Sequence, residues 1–251
     1  MKNRIALIAV LLFPPALWAA DVPATLQWSQ RVELSTPVSG VVKAVNVDVG
    51  DRVKKGQLLL ALDSTTYRAS VSADRSRITR LNAEAEEAKR DLDRVQELYQ
   101  RTIVSTTDLD QAKLRMVKSQ ASLSEAQAHL QQDQKALEDA SLHAPFDAVV
   151  LVRQAEPGMS VAAGLQPQML LTLARSGEMI ARIYLASPQI DTLKTGQKVT
   201  VNAAGTNHDG TIKTLGLEPV RIKEESVYPV DVIFSVKTTL RAGTPALVQL
   251  P

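Results

Sequence analysis

From Tyr67 to Ala140 apolar residues return in alternating steps of three and four, while the segments on either side alternate apolar and polar residues in steps of two. The first period belongs to an α-helix with one apolar stripe, the second to a β-strand with one buried face. The helical stripe runs through Tyr67, Val71, Asp74, Ile78, Leu81, Ala85, Ala88, Leu92, Val95 and Tyr99. It lapses over residues 102–107 and resumes as Leu109, Ala112, Met116, Ser119, Leu123, Ala126, Leu130, Asp133, Leu137 and Ala140. This spacing is a coiled-coil seam. If the chain folds back at the lapse, residues whose numbers sum to 207 or 208 meet, so Leu81 faces Ala126, Ala85 faces Leu123 and Ile78 faces Leu130. Large residues oppose small ones in several of the layers, and each arm is roughly 50 Å long at 1.5 Å per residue. Asp74 facing Asp133 is the dissenting layer, expected as a splayed, solvated end of the hairpin screened by water and served by Arg77 or Lys135. The hydroxyl and β-branched residues at the lapse favour turns and helix starts, with Thr107 placed to cap the second arm.

The flanking segments repeat one another. Pro37, Val41, Val42, Gly50, Val53 and Gly56 recur at a constant offset as Pro145, Val149, Val150, Gly158, Val161 and Gly164, before a three-residue slip aligns Leu58–Leu60 with Met169–Leu171. A short sheet of this kind has one apolar face and cannot bury it alone, whereas two related copies close face to face. The predicted organisation is therefore a β-sandwich in two halves, residues 35–64 and 142–174, split by a helical hairpin over 65–141. From Ser176 onward short strands (EMIARIYL, KVTVNAAG, DGTIKTLGL, SVYPVDVIFSVKT, ALVQL) predict a small antiparallel barrel over 175–251. Thr25–Leu34 is expected to add a strand to that barrel, so residues 21–34 belong with it. The fold class is α+β and multidomain.

The first residues read MKNRIALIAVLLFPPALWAAD, a basic start followed by an apolar run that ends at Pro14 and Pro15 and then small residues. This predicts a secretion signal over residues 1–20, since the run is well short of the roughly 20 apolar residues that a spanning helix requires. The chain is then exported, to the periplasm in a host with two membranes. Without Lys2 and Arg4 the 29 basic residues become 27 against 27 acidic ones, a balance that does not favour nucleic acid. Cysteine is absent, which removes disulfides and thiol chemistry. No GxSxG, HExxH or phosphate-cradling Gly-rich loop occurs, and His129, His143 and His208 are widely separated. The sequence therefore predicts no enzyme, no metal site and no cofactor.

What remains is the far end of the hairpin. Leu98 falls one position before the seam residue Tyr99, and Leu114 and Val117 lie off the seam of the second arm, so all three are expected to face outward. Arg94 shares a face with Leu98 at the i,i+4 spacing. Apolar residues gathered with a basic one at the end of a long rod predict a docking surface, and Leu114 and Val117 are candidates for lateral contacts between hairpins.

A sandwich split by an antiparallel hairpin, preceded by a signal and followed by a barrel, resembles the periplasmic adaptor (membrane-fusion) proteins of tripartite efflux pumps. Their hairpin tips carry an Arg, a Leu four residues later and a Ser seven after that, here Arg94, Leu98 and Ser105, followed by Leu109-Asp-Gln-Ala112. The resemblance covers nearly the whole mature chain. It implies a lipoyl-like sandwich without lipoylation, because the hairpin replaces the segment that carries the modified lysine. It also implies an outer-membrane channel bound by Leu98 as apolar anchor with Arg94 and Ser105 as donors, and an inner-membrane transporter, RND type favoured. The alternatives are an ABC-type exporter or type I secretion system, or a coiled-coil scaffold that meets no channel. Self-assembly into a trimer or hexamer is implied as well. Two departures stand out: the family's membrane-proximal domain is expected to be absent, and Ala148 replaces the usual Gly of the second half, which is tolerable where φ is negative.

Overall fold

The structure, a computed structural model, describes residues 20–164 and 167–250. The secretion signal expected over residues 1–20 lies, up to residue 19, outside the described residues. In chain order the elements are β1 (Ala20–Trp28), β2 (Arg31–Leu34), β3 (Gly40–Val45), β4 (Arg52–Val53), β5 (Leu58–Leu62), α1 (Thr65–Gln100) and α2 (Thr106–Asp139). They continue as β6 (Ser141–His143), β7 (Ala148–Arg153), β8 (Ser160–Val161), β9 (Leu171–Arg175), β10 (Glu178–Leu185), α3 (Ser187–Ile190), β11 (Lys198–Ala203), β12 (Thr206–Leu215), β13 (Val220–Ile222), β14 (Glu225–Ser235) and β15 (Pro245–Leu250). Two compact units result, one of residues 31–174 and one of the described residues up to Gln30 together with those from Arg175 onward.

In the first unit the internal repeat becomes a pseudo-two-fold sandwich of two four-stranded sheets, β2-β9-β7-β4 and β6-β5-β3-β8. Each half lends its shortest strand to the other: β4 pairs with β7 and β8 with β3. The exchange is carried by equivalent hydrogen bonds. Gly50 N donates to Val150 O at 2.9 Å and Gly158 N to Val42 O at 2.8 Å, while Val150 N donates to Asp51 O and Val42 N to Met159 O. Both glycines have positive φ (+97° and +88°), a backbone that other residues adopt only with strain, which is why the glycine recurs at this turn. The three-residue slip is visible in the bonding too, since Asn46 N donates to Leu59 O and Gln154 N to Leu170 O. Ala148 is fully buried and outside the positive-φ positions, so its methyl group packs without strain.

One boundary differs from expectation. Thr25–Leu34 is not a single barrel strand: β1 pairs with β10 and β15, whereas β2 pairs with β9, Arg31 opposite Ala174 through Leu34 opposite Leu171. The period of two runs through the junction unbroken, because Leu26, Trp28, Val32 and Leu34 all share one parity, so alternation cannot reveal a change of sheet. Val32 and Leu34 pack on the sandwich core.

The hairpin rises from the sandwich directly. Tyr67 packs against the sandwich core and its hydroxyl donates to the Ser39 carbonyl at 2.6 Å, fixing the base of α1. Higher up, Leu81, Leu123 and Ala126 form one buried cluster with Ile78 and Ala85 against it, so the layers expected from the seam meet. The fully buried Ala112 and Ala126 leave room for close approach of the arms. Asp74 and Asp133 are half-buried, but Lys135 does not serve them: its ammonium pairs with Asp139 at 2.6 Å and Glu138 at 3.6 Å. No described helix is long and apolar enough to cross a membrane.

In the second unit six strands close into an antiparallel barrel, β10-β1-β15-β11-β12-β14 and back to β10, with β13 attached to β14. Leu26, Met179, Ile183, Val201, Ile212, Val230, Val232 and Val248 fill it. At the closing seam Arg182 stands opposite Asp231 and grips it with two hydrogen bonds, Nε to Oδ1 at 2.6 Å and a terminal amino group to Oδ2 at 2.8 Å.

Candidate functional site at the hairpin tip

The helices are joined by residues 101–105, and the turn begins as a helix C-cap. Thr102 N donates to Tyr99 O and Ile103 N to Leu98 O, the paired bonds of a Schellman motif. Thr102 occupies the left-handed position (φ +61°), where a β-branched residue costs about 1–2 kcal/mol relative to glycine. Leu98 and Ile103 fall at the two positions of that motif that commonly carry an apolar pair. The second helix starts at Ser105, not at Thr107. Ser105 Oγ accepts from Asp108 N at 3.2 Å and donates to the Asp108 carboxylate at 2.7 Å, and that carboxylate also accepts from Ser105 N at 3.0 Å. These bonds from the Ser105 hydroxyl and amide hold the Asp108 carboxyl below its ordinary pKa. The one O–H of Ser105 is thus directed to Asp108, and the residue shapes the turn.

Leu98 is half-buried, and it is its neighbour Tyr99 that lies open, at 40% exposure. The seam expectation is reversed here because the chain reversal comes back over the Leu98 side, with Ile103 bonded to its carbonyl and Val104 half-buried. The open apolar residues near the turn are Ile103 (65% exposed), Val117 (61%), Leu114 (53%) and Tyr99. Leu114 and Val117 are therefore outward, as expected of them.

Arg94 is exposed and tied to Asp91 one turn earlier. The other oxygen of Asp91 accepts from Arg115 across the hairpin at 2.7 Å. The bond from Arg115, then that from Arg94, keeps the Asp91 carboxyl below the usual carboxylate range. These three residues lie in an open groove also lined by Glu84, Glu87, Arg90, Lys118 and Ser119. Sequence reasoning missed Arg115. Its number and that of Asp91 sum to 206, within one of the rule that pairs the seam layers, and that was the available signal.

Comparison with known proteins bears on this architecture. The profile of the CzcB-like barrel-sandwich hybrid domain matches residues 30–168, the first sandwich half, the hairpin and the second half through β8. The chain is 27% identical over 216 residues to the macrolide export protein MacA of Escherichia coli O157:H7, covering 79% of this chain and 58% of that protein. It is 31% identical over 219 residues to the pyoverdine export membrane fusion protein PvdR of Pseudomonas aeruginosa, covering 80% and 56%. It thus spans less than two thirds of either relative. The membrane fusion protein Spr0693 of Streptococcus pneumoniae R6 has the same fold, with a TM-score of 0.72 at 14% identity over 92% of this chain and 98% of that one. With the profile covering more than half of its residues, the chain belongs to the membrane fusion (periplasmic adaptor) proteins with a CzcB-like barrel-sandwich hybrid domain, a family of adaptors and not of enzymes.

Proposed function

We propose that this chain is the periplasmic adaptor of a tripartite efflux pump, joining an inner-membrane transporter to an outer-membrane channel through its hairpin tip. The observation that carries the reading is a capped turn at the end of two helices of 36 and 34 residues, with Tyr99 and Ile103 open to solvent and Arg94 exposed earlier on α1. An apolar group of this kind at the end of a rod roughly 50 Å long is a surface to be covered by another molecule. The names of MacA and PvdR, both export proteins, support transport as the setting. A two-helix rod is about 20 Å across and cannot enclose a path, so several copies, three or six, stand side by side with Leu114 and Val117 in their lateral contacts. The transporter is of the RND type in this reading, with an ATP-driven exporter as the alternative. No chemistry is assigned to the chain. The cargo is selected by the transporter.

Within this reading the weight at the tip shifts toward the turn. Leu98, Arg94 and Ser105 remain part of the docking surface, but Leu98 supports the turn while Ile103 and Tyr99 supply its open apolar area. The test is copurification of outer-membrane channels with the tagged protein from detergent-solubilised cells. Ile103→Asp is expected to cut recovery at least about tenfold, the scale of losing a central interface anchor, with the helical signal unchanged. Unchanged recovery with both Ile103→Asp and Leu98→Asp would remove the tip from the account. The transporter recovered in the same experiment decides between an RND-type and an ATP-driven partner.

A further inference from the structure

Three charged groups near the tip are arranged unlike the other ion pairs of the hairpin. The pairs Arg80–Glu84, Lys113–Asp110 and Lys135–Asp139 each stay within one helix, whereas Asp91 reaches both arms, holding Arg94 of α1 with Oδ1 and Arg115 of α2 with Oδ2. The exposures are graded. The Asp91 side chain is 24% exposed and the two arginines above it are 71% and 54% exposed. The carboxylate is thus the covered member, and the guanidinium groups are the members on display. Each arginine meets Asp91 through one terminal amino group, and a guanidinium has five N–H donors. Donors of both therefore remain for a further partner.

We infer that Asp91 is a positioning residue of the tip, which holds Arg94 and Arg115 side by side as a paired guanidinium surface for carbonyl and carboxylate acceptors on the outer-membrane channel. This rests on the docking function proposed above and adds Arg115 to the docking surface. A free arginine side chain loses much rotamer freedom when it docks, and a carboxylate that already fixes two of them removes part of that loss from the binding step. Planar guanidinium groups held in one orientation match carboxylate and carbonyl acceptors in a way that a lysine does not. Asp91 also joins the arms, so a purely structural role has to be separated from positioning.

The charge-swapped double variant D91R/R115D makes that separation, because it rebuilds the cross-arm pair but sets Arg94 beside a second cation. Recovery of the outer-membrane channel with the tagged full chain is measured alongside the thermal midpoint of the helical signal. Asp91→Asn is expected to lower recovery on the order of tenfold, the cost of leaving two arginines to be ordered on docking. Its midpoint should move little, since both arginine partners are more than half exposed and solvent screens their pairing. The swap is expected to keep the midpoint near that of the parent chain while recovery stays low. Recovery restored by the swap would show that Asp91 only joins the arms, and unchanged recovery with Asp91→Asn would overturn the proposal outright. If Ile103→Asp abolishes recovery while Asp91→Asn does not, this inference alone fails. If neither variant has an effect, the docking reading fails with it.

Discussion

Truncating Leu59 or Leu170 to alanine is expected to destabilise the sandwich by about 3 kcal/mol in either case, the usual cost of emptying a leucine site in a packed core. The expectation of equal effects comes from the pseudo-two-fold. Both side chains are fully buried, and each carbonyl accepts the equivalent amide of its own half, Asn46 for Leu59 and Gln154 for Leu170. They nevertheless pack in separate clusters, Leu59 with Val47, Val53 and Phe146 and Leu170 with Val42, Leu62 and Val161. The buried members of the two clusters differ and only the partly buried Val45 and Leu142 pack against both, so the losses should nearly add, to roughly 6 kcal/mol in the double variant, comparable to the whole stability of many domains. Urea titration combined with hydrogen exchange at the Asn46 and Gln154 amides measures this. A cost below about 1 kcal/mol at one of the two sites would show that the halves are not energetically equivalent.

Arg182→Ala is expected to cost the barrel about 2 kcal/mol, because it leaves the mostly buried Asp231 carboxylate without its two-point partner. Arg182 is itself about a third exposed, which keeps the figure below the range for fully buried pairs. The bond to Asp231 raises the Arg182 pKa further even against desolvation, so the cation is fixed at any working pH. Arg182→Lys should recover only part of the loss, since a compact ammonium cannot span both carboxylate oxygens as the guanidinium does. Removing both partners should be less damaging than removing the arginine alone. Barrel unfolding followed by tryptophan fluorescence is suited to this, as Trp28 packs against the barrel core and pairs with Met179 at the same strand. A double variant as unstable as Arg182→Ala would show that the pair, and not the stranded carboxylate, sets the cost.

The parts of this fold that were legible beforehand are those in which one physical constraint repeats. The sandwich announced itself because the same left-handed turn needs glycine in each half, at Gly50 and Gly158. The hairpin did so because one seam must match itself in reverse, and the cluster of Leu81, Leu123 and Ala126 is that match. Reading failed where a local constraint competes with the period. At Leu98 and Tyr99 the reversal of the chain, not the heptad, decides which side chain is covered. The helix start passed from Thr107 to Ser105 because the choice lies in a reciprocal bond with Asp108, and several hydroxyl residues in a row look alike until that partner is known. The change of sheet between Trp28 and Arg31 left no mark because it preserves parity. The link from Asp91 to Arg115 joins residues off the apolar seam, and hydrophobic periodicity is silent about polar contacts.

The account as a whole turns on what Ile103 touches in the cell. A photo-crosslinking residue placed at position 103 of the full chain, activated in intact cells, should trap an outer-membrane channel as its main adduct, and that adduct should be lost when Arg94 and Tyr99 are both replaced by Asp. Adducts confined to other copies of the chain, or to the inner-membrane transporter, with no channel among them, would contradict it.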